Sequence, residues 1–341
     1  MSNLLEIEHL SVSYETYAGR VRSVRDISFS VKENSTLAIV GESGCGKSVT
    51  AKAMLGLIEK PGEIDPDSVI RFEGKNLVEQ SEKEWRQYRG NQAAMIFQDA
   101  LVALNPTMKI GKQITESLVN HSTLSKEERK KQAMEVLTAV GIPDASRCLE
   151  MYPYELSGGM RQRVMIASAF ITHPKLLVAD EPTTALDVTI QAQILKLMKK
   201  LQTESEMSAI LITHDLGVVA DYADEILVMY AGKIVERGLA EDIFYHPKHP
   251  YTWALIHAVP TFDLNKKEVL PTISGMVPGM IKPPAGCAFC NRCPCAMHIC
   301  KEHQPIEMKL EGKHCVSCWL QLEGVDRSGI DFLQEEAKNE K

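Results

Sequence analysis

The sequence predicts an α/β protein built on a parallel sheet, and three observations predict it. Residues 36–40 (TLAIV) are an unbroken apolar run that leads straight into GESGCGKS at 41–48. A second apolar run ends in two acids, LLVADE at 176–181. Further short apolar runs at 209–213 and 225–230 alternate with stretches of helical periodicity. Strands without polar alternation are covered on both faces, and strand–helix alternation covers them.

Each element follows in order. Residues 4–14 (LLEIEHLSVSY) alternate apolar and polar, the period of a half-buried strand. Residues 27–31 repeat that pattern, so the chain opens with an antiparallel β subdomain. Residues 36–40 predict a buried strand, and 48–58 a helix after the glycine-rich loop. Residues 82–89 and 125–140 are polar helices. Residues 175–180, 209–213 and 225–230 predict further buried strands, with helices at 187–201 and 216–222 between them. Residues 99–165 carry helical patterns only. They predict a helical subdomain inserted into a core made of 1–98 and 166–240. After Gly238 proline becomes frequent and the sheet signal stops, which predicts a small separate unit at 241–325 that cannot bury much core of its own. Residues 326–341 form a polar tail.

Composition narrows the function. The 341 residues are 44% hydrophobic and 24% charged, ordinary for a globular chain. The net charge of −7, with no basic tail, gives nucleic acid no electrostatic footing. MSNLLEIEHL has no cationic stretch ahead of an apolar one, so no signal peptide is expected. The longest apolar runs, such as 164–171, are too short to span a bilayer. A membrane role would be peripheral, at the cytoplasmic face. Of nine cysteines, Cys45 and Cys148 stand alone, and seven fall between Cys287 and Cys318. Such clustering in a cytosolic chain points to metal rather than disulfides.

GESGCGKS fits a phosphate-binding loop. Gly41, Gly44 and Gly46 allow backbone N–H groups to curl around phosphate oxygens, with Ser43, Cys45 and Val49 completing the cradle. The helix starting near Lys47 aims its positive end at the same anion. Lys47 is placed to reach the β- and γ-phosphates and Ser48 to ligate Mg²⁺. Asp180, at a strand end, is placed to hold Mg²⁺, and Glu181 to act as general base. SGGMRQR at 157–163 is a second glycine-rich turn opening its own helix.

These motifs, in this order, resemble the ATP-binding subunit of an ABC transporter, with every family motif inside residues 1–240. The resemblance implies a Q-loop glutamine at Gln98, which senses γ-phosphate and contributes to the Mg²⁺ site. It makes 156–160 (LSGGM) the signature motif, 185–187 (ALD) the D-loop and His214 the switch histidine. It puts adenine against Tyr14, with Tyr17 as competitor. It also implies that Ser157, Gly158 and Gly159 serve the nucleotide of an opposing subunit, so that ATP joins two chains. Met160 departs from the frequent glutamine and resembles one of two related ATPases of peptide permeases, implying a heterodimer.

Residues 246–253 (HPKHPYTW) and 284–300 (PAGCAFCNRCPCAMHIC) resemble the C-terminal extension of oligopeptide and dipeptide permease ATPases. The matching cysteines are Cys287, Cys293, Cys300 and Cys318, spaced C-x₅-C-x₆-C-x₁₇-C. All-sulfur ligation suits a 4Fe–4S cluster or Zn²⁺; a metal-free packed loop is the alternative. Extra thiols at Cys290, Cys295 and Cys315 leave the ligand set open. His246, His249 and His257 read as turn and packing residues.

The sequence therefore predicts a transport ATPase for dipeptides, oligopeptides or a related solute, using ATP and Mg²⁺. Its partners would be a second ATP-binding subunit, two transmembrane permease subunits and, indirectly, an external solute-binding protein. The alternatives are a soluble ABC-type ATPase outside transport, or an iron–sulfur redox module with a regulatory nucleotide site.

Overall fold

The structure, a computed structural model, describes residues 2–183, 187–258 and 273–325. Its strands run β1 (Asn3–Thr16), β2 (Gly19–Lys32), β3 (Thr36–Val40), β4 (Gly62–Ile64), β5 (Val69–Phe72), β6 (Lys75–Asn76), β7 (Ala93–Ile96), β8 (Leu176–Asp180), β9 (Ser208–Thr213), β10 (Glu225–Tyr230), β11 (Lys233–Leu239), β12 (Met308–Lys309) and β13 (Cys315–Val316). They form two sheets. The smaller is antiparallel, ordered β2-β1-β5-β6 with β4 also paired to β1. The larger is ordered β12-β13-β11-β10-β3-β9-β8-β7. Its five strands from β10 to β7 are parallel, and β11, β13 and β12 extend it antiparallel.

The apolar runs explain the layering. Every residue of β3, β8 and β9 is buried, as strands covered on both faces require. One face packs Ile39, Val178 and Ile212 against the antiparallel sheet through Leu5, Ile27 and Phe72. The other packs Ala179 and Leu211 against the helices of the insertion through Leu137, Val164 and Ile166. Between β7 and β8 the chain is helical only, ending in the helix Gly158–Phe170. The architecture is the expected α/β core with antiparallel β subdomain, helical insertion and cysteine-bearing extension.

Three details differ from the sequence reading. The helix after the glycine-rich loop covers Lys47–Met54 and stops short of residue 58. Gly56 takes φ +62°, and a Cβ there would sit 2.7 Å from the Trp85 ring, so the chain turns early to admit that ring. The helix Val188–Glu204 outruns its predicted end, because Gln202 is buried and donates to Thr36 Oγ1 at 2.8 Å. The third difference is larger. The extension does not leave the sheet. β13 pairs with β11 at Glu236↔Val316 and Arg237↔Cys315. Tyr251 and Phe289 of the extension join Val228 and Tyr230 of the core in one apolar cluster. The extension therefore shares the main core.

Candidate active site

Strand order builds the site. β3, β9, β8 and β7 are consecutive neighbours and parallel, so their C-terminal ends lie side by side along one sheet edge. Ligands of open α/β sheets bind at that edge. The glycine-rich loop leaves β3, Asp180 ends β8, His214 follows β9 and Gln98 stands two residues beyond β7.

The loop is shaped by two glycines. Gly41 has φ +147°, and a Cβ there would lie 2.2 Å from the Met229 carbonyl oxygen; Gly46 has φ +105°, and its Cβ would lie 2.5 Å from the Ser23 carbonyl oxygen. Any other residue strains the loop at both places. Ser43 and Gly44 are exposed on it, Cys45 is buried and Val49 half-buried. Lys47 is buried, and its Nζ donates to the carbonyls of Gly41 at 2.7 Å and Glu42 at 3.1 Å.

Ser48 Oγ donates to Asp180 Oδ1 at 2.9 Å. Burial raises the Asp180 carboxyl above its usual range, and the neighbouring Glu181 charge adds to the rise. A cation beside this pair would offset both effects. Two hard oxygens fit Mg²⁺, which takes one or two protein ligands and completes its shell with water and phosphate.

Glu181 is the meeting point. Its carboxylate accepts from Gln98 Nε2 at 2.8 Å and stands 3.2 Å from His214 Nδ1. Its backbone has φ +46°, an uncommon conformation for glutamate, and its N–H donates to the Ile212 carbonyl at 2.8 Å. Of the three side chains named from the sequence as catalytic, Gln98 and His214 thus both contact the third, Glu181.

The signature turn opens the helix Gly158–Phe170. Ser157 caps that helix, accepting from the Met160 N–H at 3.3 Å. Ser157 and Gly158 are exposed, Gly159 is half-buried, and a Cβ on Gly158 would meet nothing within 4 Å. Met160 packs on the apolar core of the insertion. Residues 185 and 186 of the proposed D-loop lie outside the described residues, whereas Asp187 caps the next helix, accepting from Ile190 N–H at 3.0 Å. Tyr14 is half-buried against Gly62, where a Cβ would approach its ring to 2.5 Å, and burial raises its phenol. Tyr17 is fully exposed in the turn after β1.

Gln162 was not singled out from the sequence. It is buried, and its Nε2 donates to the Pro182 carbonyl, one residue past Glu181. The signal was present: at helical spacing Gln162 shares a stripe with Met165, Ile166 and Ala169, where a polar residue needs a partner.

Cys287, Cys290, Cys293, Cys295, Cys300 and Cys318 line one small, tightly filled pocket with His249. Cys315 is not among the residues lining it; it lies in β13, paired with Arg237. Burial pushes the Cys287 thiol up to about 11 and the Cys318 thiol up to about 12, and raises Cys293 as well; neighbouring thiols add to each. Among the described residues, no three Cys, His, Asp or Glu side chains converge as ligands of a single metal ion. A lone Zn²⁺ with bonds of about 2.3 Å needs sulfurs about 3.8 Å apart. The soft donor set fits a thiophilic metal, but the spacing does not form a single-ion site. His249 is buried and caps the helix Pro250–His257 by accepting from the Tyr251 N–H at 3.0 Å, while His257 Nδ1 lies 2.8 Å from the Trp253 carbonyl and His246 ends the preceding helix.

The family model described as "ABC transporter" matches residues 24–184, and the one described as "Oligopeptide/dipeptide transporter, C-terminal region" matches 235–300. The chain is 52% identical over 320 residues to the oligopeptide transport ATP-binding protein OppD of Bacillus subtilis (strain 168), covering 94% of this chain and 89% of that one. The chain belongs to the ATP-binding subunits of bacterial oligopeptide/dipeptide ABC importers. It is also 50% identical over 321 residues to the dipeptide transport ATP-binding protein DppD of the same organism, covering 94% and 96% of the two chains. A bacterial ABC transporter cassette solved as a dimer superposes with TM-score 0.62 at 25% identity, over 69% of this chain and 98% of that one. A Clostridium perfringens subunit, part of the ABC transporter complex cbiONQ, gives 0.60 at 27% identity, over 72% and 92%. This ABC transporter subunit is an ATPase. The matches give no support to a soluble non-transport ATPase or to an iron–sulfur redox module. Among the described residues, no helix is long and apolar enough to cross a membrane.

Proposed function

We propose that this subunit hydrolyses ATP at the Glu181 site to drive uptake of dipeptides or oligopeptides. The observation that carries the reading is the convergence of Gln98 and His214 on the Glu181 carboxylate, beside the Ser48–Asp180 pair. Lys47 and the loop amides hold the phosphates, and Tyr14 stacks on the adenine. Glu181 takes a proton from the attacking water, with Gln98 and His214 fixing its orientation. Bound Mg²⁺ neutralises charge on the phosphates, and Ser48, Asp180 and Gln98 are the residues that would hold it. Exposed Ser157 and Gly158, at the head of a 13-residue helix, offer amides and a dipole to the nucleotide of a second, related ATP-binding subunit. Closure of two such cassettes over ATP, and reopening after hydrolysis, is the work cycle.

The functional units are the core at 1–98 and 166–240, the signature subdomain at 99–165 and the extension at 241–325. A groove between the first two is lined by Leu55, Phe97, Leu104 and Met165, and Leu101 and Val102 stand exposed beside it. This apolar cleft next to Gln98 supports docking of two transmembrane permease subunits, with this chain at the cytoplasmic face and a solute-binding protein outside. In the extension, Cys287, Cys293, Cys300 and Cys318 would hold a 4Fe–4S cluster, which is wider than a single ion; Cys290 and Cys295 are the alternative ligands. Iron and sulfide analysis of anaerobically purified protein, with absorbance near ~400 nm, tests that assignment.

Replacing Glu181→Gln tests the main reading. Turnover is expected to fall at least ~100-fold while Mg-ADP binding stays. Turnover at the parental rate would overturn the assignment of Glu181 as base.

A further inference from the structure

Two residues of the C-terminal extension grip the phosphate loop itself, at Glu42, the residue after Gly41. The Glu42 backbone N–H donates to Tyr251 Oη at 2.8 Å. The Glu42 carboxylate is held bidentately by Arg292, Nη1 to Oε2 at 2.5 Å and Nη2 to Oε1 at 2.9 Å. These contacts are fixed from behind. Arg292 Nε donates to the Ser274 carbonyl at 2.9 Å, Nη2 to the Ile273 carbonyl at 3.0 Å and Nη1 to Tyr230 Oη at 3.1 Å. Only 5% of the Arg292 side chain is exposed. Tyr251 is wholly buried, its ring 4.6 Å from that of Tyr230 and 5.3 Å from that of Phe289.

The peptide unit between Gly41 and Glu42 shows why this reaches the nucleotide. Its N–H points to Tyr251, and its C=O, on the opposite side of the same rigid plane, accepts from Lys47 Nζ at 2.7 Å. The Glu42 carbonyl accepts from the same ammonium at 3.1 Å. Tyr251 and Arg292 therefore fix the two carbonyls that orient the phosphate-reaching lysine. We propose that Arg292 and Tyr251 are positioning residues of the ATP site, clamping Glu42 so that the phosphate loop and Lys47 are preorganised for the triphosphate. The proposal rests on the reading of residues 41–48 as the nucleotide loop. It gives the extension a part in nucleotide binding, through a bidentate pair that lysine or glutamine cannot reproduce.

The test is Mg-ADP titration of the purified full-length chain by calorimetry, with steady-state ATPase kinetics in the assembled transporter. Arg292→Gln and Glu42→Gln are each expected to weaken Mg-ADP roughly tenfold, and the double variant no further, because both break one clamp. Tyr251→Phe, which keeps the ring packing, is expected to weaken it about threefold. Arg292→Lys should recover part of the loss. In turnover, KM should rise while kcat stays within about twofold, the mark of lost binding geometry rather than lost chemistry. Additive losses, a fall in kcat alone, or Mg-ADP affinity unchanged in Tyr251→Phe would overturn the proposal. If Arg292→Gln does not fold, Tyr251→Phe and Glu42→Gln decide it. Lys47→Ala separates the two levels: if it still binds Mg-ADP normally the loop assignment fails, and if it loses binding while the clamp variants do not, the clamp fails.

Discussion

At the residue scale, Glu181 combines chemistry with backbone strain. A left-handed φ costs a non-glycine residue about 1–2 kcal/mol, and the bond from its N–H to Ile212 helps hold it there. Glu181→Gly is expected to gain about 1 kcal/mol in urea unfolding while losing turnover; a less stable variant would mean that the conformation costs nothing. Asp180 adds a second tension, since burial raises its carboxyl. In the window between its unfolded and folded pKa values the native state binds the extra proton, so this group's contribution to stability falls as pH rises. Asp180→Asn should therefore melt higher than the parent at pH ~7, with the gap narrowing toward pH ~4. Of the proposed catalytic trio, Glu181 and His214 were legible because each follows an apolar run that had to be a strand, whereas Gln98 was legible only through the family resemblance, since no strand was predicted ahead of it. The strain at Glu181 was not, since nothing in a glutamate marks a left-handed φ. Gln162 was half-legible: its stripe said buried, but its partner at Pro182 could be seen only once the helix was packed.

At the element scale, the continuous apolar strands β3, β8, β9 and β10 were readable, β7 and β11 were not predicted, and the two-residue strands could not be. β12 and β13 are too short to show alternation, so the pairing of β13 with β11 had no signature. The end of the helix Lys47–Met54 depended on Trp85, 31 residues on in sequence. The helix Pro250–His257 carries its own prediction. Burial pushes its cap, His249, down to about 4. A histidine depressed in the folded state leaves the unfolded chain holding the extra proton between pH ~6.5 and ~4, so stability is present above that window and is lost as pH falls through it. Urea unfolding at pH ~6.5 and ~5 should show His249→Asn, which keeps a capping acceptor, losing about 2 kcal/mol less than the parent. Equal losses would mean that His249 is not buried neutral.

At the scale of the whole molecule, the sequence suggested a small separate cysteine-bearing unit, and the structure has an extension built into the core. Contacts such as Arg292 to Glu42 span 250 residues, a distance over which no local pattern speaks. Tyr251 and Phe289 each bury enough apolar surface to contribute about 1.5–3 kcal/mol. A chain ended at residue 246 is accordingly expected to melt about 10 °C lower, or to aggregate; a melting point equal to the parent's would show that the extension lends the core nothing. Ser157 and Gly158 stand exposed at a helix start, and the proposed function has them close the ATP cage of a second chain. The most direct measurement is ATP turnover per chain, for the dilute monomeric protein and again after its partner ATP-binding subunit is added. The account predicts that the lone chain runs at least ~100-fold slower, for want of the donors across the phosphates. A dilute monomer working at the full rate of the pair would contradict it.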